Sequence, residues 1–194
     1  PSYPARRLGR PHPYPTIYAS PMISTDESLM SALPQTVGVL SLRPATPGDA
    51  EALQERCWSS WSIHKVGEML QRVARFSGRG RGYAVAACVD GHVVGYGQLL
   101  GWARVAEISD LIVAEAYRRQ GIGTAMIRHL LAIAQEWDEV IIEIGAVLHN
   151  SGALALYRRL GFVDDRLIDL DLGQGAEPVI YLRWTAPPHL VCDS

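Results

Sequence analysis

The order of patterns between residues 105 and 148 constrains the fold more than anything else in this chain. Val105 to Val113 reads as a strand, YRRQGIG at 117–123 as a glycine turn, Ala125 to Trp137 as a helix, and Val140 to Leu148 as a second strand. The second strand is almost continuously apolar, as expected when both of its faces are covered. A strand–helix–strand unit of this kind closes as a right-handed crossover with its two strands parallel. Gly121 and Gly123 at the head of the helix leave backbone N–H groups uncovered, where the helix dipole concentrates positive charge. Arg118 and Arg119 stand beside them, so the turn suits a phosphate or pyrophosphate.

The commoner phosphate fingerprints do not fit. A GxGxxG loop would need glycine at 126, which is Met126, and no acid follows at the required distance on a strand. A P-loop needs Gly-Lys-Ser/Thr, and the only lysine is Lys65. On these residues alone, a glycine-opened helix that binds nothing stays open as a reading.

The rest of the chain divides readily. Residues 1–36 carry seven of the twelve prolines and no periodicity, so they read as an arm, disordered or laid across a neighbouring surface. Crossing to a second copy, to give a homodimer, is one expectation for it. Residues 37–185 read as the folded domain and 186–194 as a tail. Within the domain, Val37–Arg43 alternates as a strand, Thr46-Pro47 opens a helix to about Ser60, and a second helix runs from Ile63 to Phe76. Tyr83–Val89 and His92–Leu100 flank Asp90-Gly91, a tight-hairpin signal. A short helix capped by Asn150 or Ser151 ends at Gly161, and Leu167–Leu172 and Val179–Trp184 form a last hairpin. The expected class is α/β (α+β) in three layers, a mixed, mostly antiparallel sheet of about seven strands with flanking helices.

Composition narrows the partners. A net charge of −2 argues against nucleic acid, and no run of 18 apolar residues offers a membrane span. Cys57, Cys88 and Cys192 are scattered and odd in number, read as idle thiols of a cytoplasmic protein. His64, His92 and His149 lack metal-ligand spacing, and no metal is expected.

A second motif gives the glycine turn a context. Residues 150–162 read NSGALALYRRLGF, just beyond the second apolar strand. With RRQGIG at 118–123, this resembles the GCN5-related N-acetyltransferase superfamily, whose members carry an R/Q-x-x-G-x-G/A loop followed by an Asn…Tyr-x-x-x-Gly-Phe helix. The resemblance covers roughly residues 39–184. It implies acetyl-CoA as cosubstrate, with its pyrophosphate on Arg118, Arg119, Gln120, Gly121, Ile122, Gly123 and Thr124. The backbone of Leu111, Ile112 and Val113 would pair with the pantetheine amides, and the Leu111 N–H would face the thioester oxygen. Asn150 would contact the pantetheine or cap its helix.

Acetyl transfer also needs a proton taken from the amine. A lysine-like amine, with a pKa of about 10.4, pays roughly 4–5 kcal/mol for deprotonation at pH 7, whereas an α-amine near 8 pays about 1. Glu107, fourteen residues before Gly121, sits at the offset of the glutamate base in histone-acetylating members. Asp110 is its rival, and water is the third candidate. In a regular strand Glu107 and Asp110 face opposite sides, so a bulge would decide which enters a cleft. Tyr157 matches the tyrosine said to protonate the departing thiolate. A phenol near pKa 10 is a weaker acid than a thiol near 8.5, so hydrogen bonding to the sulfur is the better-founded role, with a core tyrosine as the plain alternative.

Other features take plain readings. Arg72, Arg75, Arg79 and Arg81 read as a solvated helix end, Asp164, Asp165, Asp169 and Asp171 as exposed acids, and Trp58, Trp61 and Trp102 as core. The expected function is an acetyl-CoA-dependent N-acetyltransferase acting on a small-molecule primary amine. The alternatives are a protein N-terminal or lysine acetyltransferase, and a non-catalytic CoA-binding regulatory module.

Overall fold

One seven-stranded sheet carries every other element in the structure, a computed structural model that describes residues 38–171 and 175–187. The expected arm, the end of the tail with Cys192, and the tip of the last hairpin lie outside the described residues. In chain order the elements are β1 (Leu40–Pro44), α1 (Ala50–Arg56), α2 (Ile63–Ser77), β2 (Gly82–Val89), β3 (His92–Gly101), β4 (Ala106–Val113), α3 (Ile122–Glu136), β5 (Ile141–Val147), α4 (Ser151–Arg159), β6 (Val163–Asp171) and β7 (Ala176–Thr185). The sheet order is β1-β2-β3-β4-β5-β7-β6, and its one parallel pair is β4–β5, as the crossover requires. No helix among the described residues is long and apolar enough to cross a membrane.

Two apolar layers cover the sheet. Ile108, Ile142 and Ile144 pack against Met126, Ile127 and Leu130 of α3 on one face. On the other, Ala86, Tyr96 and Leu100 meet Leu53 of α1 and Val66, Leu70 and Val73 of α2. Helix α2 buries its residues at helical spacing, and the Ser62 hydroxyl caps it by accepting from the Lys65 N–H at 3.2 Å.

Several boundaries differ from the sequence reading by a few residues, β1 and β7 among them, and three of the shifts have a clear local reason. The first helix ends at Arg56 rather than Ser60, because the N–H groups of Cys57 and Trp58 both turn back to the Leu53 carbonyl while Trp58 enters the core. At its other end the Asp49 carboxylate accepts from the Thr46 N–H at 2.7 Å and holds Arg43 through both oxygens. Helix α3 starts three residues earlier, since Gly121 at φ +84° turns the chain straight into it. Strand β6 begins earlier too. It is an edge strand, where Asp164, Asp165 and Arg166 interrupt the apolar alternation and the ladder resumes after a register shift between Asp164 and Arg166.

The feature that shapes the site is a bulge in β4. Tyr96 pairs with Ile112 and Gln98 with Ser109, so Gly97 alone faces both Asp110 and Leu111. A Cβ at Gly97 would come within 2.8 Å of Leu111 Cδ1, so a larger residue there would push the Leu111 side chain aside. Asp110 takes φ +51°, a left-handed conformation that costs an L-residue roughly 1–2 kcal/mol.

Candidate active site

Pairing between β4 and β5 stops at Ile108 and Ile144, and beyond that point the strands part. The gap opens a cleft of about 750 Å³ that runs from the head of α3, past the outer half of β4, to Glu107, Asp110 and Trp58 on the opposite face of the sheet. It is a passage through the sheet.

At one end stands the glycine loop. Ala125 N–H is the first to bond back into α3, to the Gly121 carbonyl at 3.0 Å. The amides of Ile122, Gly123 and Thr124 therefore lack intrahelical acceptors, and these residues line the cleft. A Cβ on Gly123 would rest 3.5 Å from Leu156 and 4.0 Å from Val113, so helix head, β4 and α4 approach closely here. Arg118 and Arg119 line the same mouth, with Arg119 at φ +62°. The Arg118 Nε donates to the Val113 carbonyl at 3.0 Å, and Gln120 Nε2 to the Ala116 carbonyl at 3.2 Å. Gln120 thus braces the loop from behind and lies outside the cleft lining.

Along the middle, Ile112 and Val113 pair with β3 on one side only, and Leu111 stands in the bulge opposite Gly97. Their other backbone edge faces the gap, in the manner of a sheet edge waiting for one more extended segment.

Beyond the gap, the bulge brings Glu107, Ser109 and Asp110 onto the α1–α2 face together. Gln98 Nε2 donates to Ser109 Oγ at 2.9 Å and to Asp110 Oδ2 at 2.6 Å, and Arg72 of α2 lies 3.6 Å from that same oxygen. Arg72 is therefore half-buried against Asp110, not part of a solvated helix end. Position 72 flanks the buried stripe of α2, and a buried carboxylate within reach draws the guanidinium inward. Glu107 is 4% exposed, and its Oε2 accepts from the Trp102 indole at 3.3 Å. Burial, then the neighbouring Glu107 carboxylate, pushes the Tyr181 phenol up.

Sequence reasoning missed the groups around these acids. Glu143 is paired opposite Glu107 in the parallel register, and Arg166 and Arg183 hold it at 2.8–2.9 Å. Burial alone would raise the Glu143 pKa, but the two guanidinium groups outweigh it and keep the carboxyl below its ordinary range. Asp165 bridges Arg166 and Arg183, and Asp164 pairs with Arg158, so both acids are engaged. The one available signal was a polar residue inside an apolar strand: Gln98 in GYGQLL and Glu143 in VIIEIGAV.

Tyr157 is buried on α4, lines the cleft, and lies beside Phe162 with ring centres 6.2 Å apart. Burial pushes its phenol well up, which keeps it protonated. Asn150 Oδ1 accepts from the Ala153 N–H at 3.1 Å, so this side chain caps α4 while also lining the cleft. Trp58 is both core and cleft wall, stacked on Trp61 at 5.3 Å and edge-on to Tyr96.

Known proteins resemble this chain in sequence over part of its length and in fold. An N-alpha-acetyltransferase of Sulfurisphaera tokodaii is 33% identical over 95 residues, 41% of this chain and 56% of that protein. A Salmonella typhimurium acetyl transferase that modifies the N-terminal serine of the 50S ribosomal subunit protein L7/L12 superposes with a TM-score of 0.67 at 16% identity, over 76% of this chain and 95% of its own. A second Salmonella typhimurium structure, solved with its cofactor acetyl-CoA, gives 0.63 at 15% identity, over 80% of this chain and 98% of its own. The structural likenesses speak for the fold. The chain spans 28% to 57% of the length of the curated relatives it matches. The profile of the acetyltransferase (GNAT) family matches residues 49–162, from the start of α1 through the glycine loop to Phe162, and the chain belongs to that family.

Proposed function

We propose that the protein transfers an acetyl group from acetyl-CoA to a small primary amine by direct attack on the thioester. The observation that carries this reading is the passage between β4 and β5, which joins the free amides of α3 to Glu107. Acetyl-CoA supplies an activated acyl carbon and a thiolate leaving group.

The amides of Ile122, Gly123 and Thr124, with Arg118 and Arg119, hold the pyrophosphate, while Gly121 sets the turn and Gln120 braces it. The open edge of Leu111–Val113 pairs with the pantetheine. The Leu111 N–H faces the oxygen on which negative charge gathers, a donor typically worth about 3–4 kcal/mol. The acceptor enters from the α1–α2 face. Glu107 takes the ammonium proton, with Asp110 as its rival, the nitrogen forms its bond to the acyl carbon, and the carbon–sulfur bond breaks. Tyr157, protonated throughout, donates a hydrogen bond to the departing sulfur, whose proton comes from solvent or from the amine. Two carboxylates at the acceptor end favour a cationic amine.

A protein α-amine is the second reading, favoured by the named activities of the relatives above. Calorimetry with coenzyme A, followed by a thiol-release assay over polyamines, amino sugars, amino acids and short peptides, tests both. Micromolar binding with turnover on a small amine supports the reading. Turnover on peptides alone moves it to the protein acceptor. Binding without turnover on any amine replaces it with a CoA-binding module, and absence of binding removes it.

A further inference from the structure

We propose that Gln98 is a positioning residue: its side-chain amide holds the β4 bulge, and thereby aims the Leu111 N–H into the cleft. The proposal rests on the acetyl-transfer reading above and adds a residue outside the family's motifs.

Gln98 is 0% exposed in the middle of β3. Every part of its amide has a defined task. Its Oε1 accepts from the buried Tyr96 hydroxyl at 3.0 Å, and its two Nε2 hydrogens go to Ser109 Oγ at 2.9 Å and Asp110 Oδ2 at 2.6 Å. A carboxylate at that distance needs a donor, so the orientation of the amide is fixed. The two acceptors are consecutive residues of β4, and the second is the bulge residue at φ +51°. One side chain on the neighbouring strand therefore grips both the last regular residue and the strained one.

The consequence follows from the two-residue period of a strand. If Asp110 relaxed to an extended conformation, each later residue of β4 would exchange faces. Leu111 now packs toward α3 and Ile112 toward α2. Loss of the bulge would reverse both and rotate the Leu111 N–H out of line. A leucine or methionine would fill the volume of Gln98 as well but could not pin Asp110.

The test uses three variants and separates kcat from KM. In Gln98→Met, kcat should fall about 10–100-fold, the scale of a misaimed oxyanion donor, while coenzyme A affinity by calorimetry falls clearly less, within about tenfold, because the loop at the head of α3 keeps its pyrophosphate contacts. Gln98→Glu, which sets two carboxylates against each other, should lose at least as much. Adding Asp110→Asn to Gln98→Glu reverses donor and acceptor and should restore kcat to the level of Asp110→Asn alone. An unchanged kcat in Gln98→Met, kcat and coenzyme A affinity falling in parallel, or no rescue in the double variant would overturn the proposal. Failure of the unmodified protein to bind coenzyme A or turn over would instead remove the underlying reading, and this one with it.

Discussion

Glu107 and Asp110 share the α1–α2 face of β4 although they stand three positions apart, because Asp110 is the extra residue of the bulge. Their surroundings differ. Asp110 is tied to Gln98 and to the Arg72 guanidinium, whereas Glu107 meets the Trp102 indole beside Tyr181. The Asp110 carboxylate is already engaged by Gln98 and Arg72, which supports the proposal that Glu107 is the base.

Glu107→Gln is therefore expected to lower kcat/KM by about 10²–10³-fold for a lysine-like amine and to flatten the acidic limb of its pH profile. Asp110→Asn should cost less than about tenfold and keep the limb, since asparagine still accepts from Gln98. The check is kcat/KM for both variants between about pH 5.5 and 9; a limb that disappears in Asp110→Asn instead would exchange the two roles.

Gly121 is needed for its backbone alone. At φ +84° it caps α3, and a Cβ there would meet nothing within 4 Å. Gly121→Ala should destabilise the fold by about 1 kcal/mol through the left-handed conformation. It should weaken coenzyme A binding more than that figure implies, because relaxing the turn misaligns the amides of Ile122 and Gly123. Urea midpoints and calorimetry on the same variant separate the two effects.

The sequence was most legible where local rules decide. The Asp90-Gly91 turn, with both residues at positive φ, the Asn150 cap, and the parallel β4–β5 pair all follow from residue type and spacing. The glycine loop and Tyr157, each in its own short contiguous stretch of sequence, both line the cleft. Long-range partners were not legible. Nothing local to Arg72 announces Asp110, and nothing local to Glu143 announces Arg166 and Arg183, which lie 23 and 40 residues away on other strands. The bulge was anticipated as a possibility, but its register rests on Gly97 and Gln98 of the neighbouring strand.

Tyr157→Phe separates proton transfer from hydrogen bonding. Burial raises the phenol's pKa, so its proton stays in place up to and beyond pH 10. The variant should lower kcat about 5–50-fold, leave the KM for acetyl-CoA nearly unchanged, and alter no limb of the kcat profile between about pH 6 and 9. A basic limb that vanishes in the variant would mean that the tyrosine gives up its proton in that range.

Glu143 gives a prediction for acid stability. Its carboxyl is held below its ordinary value of 4.5 in the folded protein because Arg166 and Arg183 outweigh the effect of burial. A depressed carboxylate pKa contributes stability that is fully present above the unfolded value and is lost as pH falls through the folded one. Arg166 and Arg183 are partly exposed, so solvent screens the pair, and the contribution at pH 7 should be about 1–2 kcal/mol. Glu143→Gln should therefore lower the urea midpoint at pH 7, while the two proteins converge as the pH falls through the depressed folded-state pKa, below the ordinary carboxylate range. Asp165 partly compensates by keeping its contacts to both arginines. Midpoints that stay equally far apart from pH 7 to pH 3 would mean that Glu143 acts by packing rather than charge.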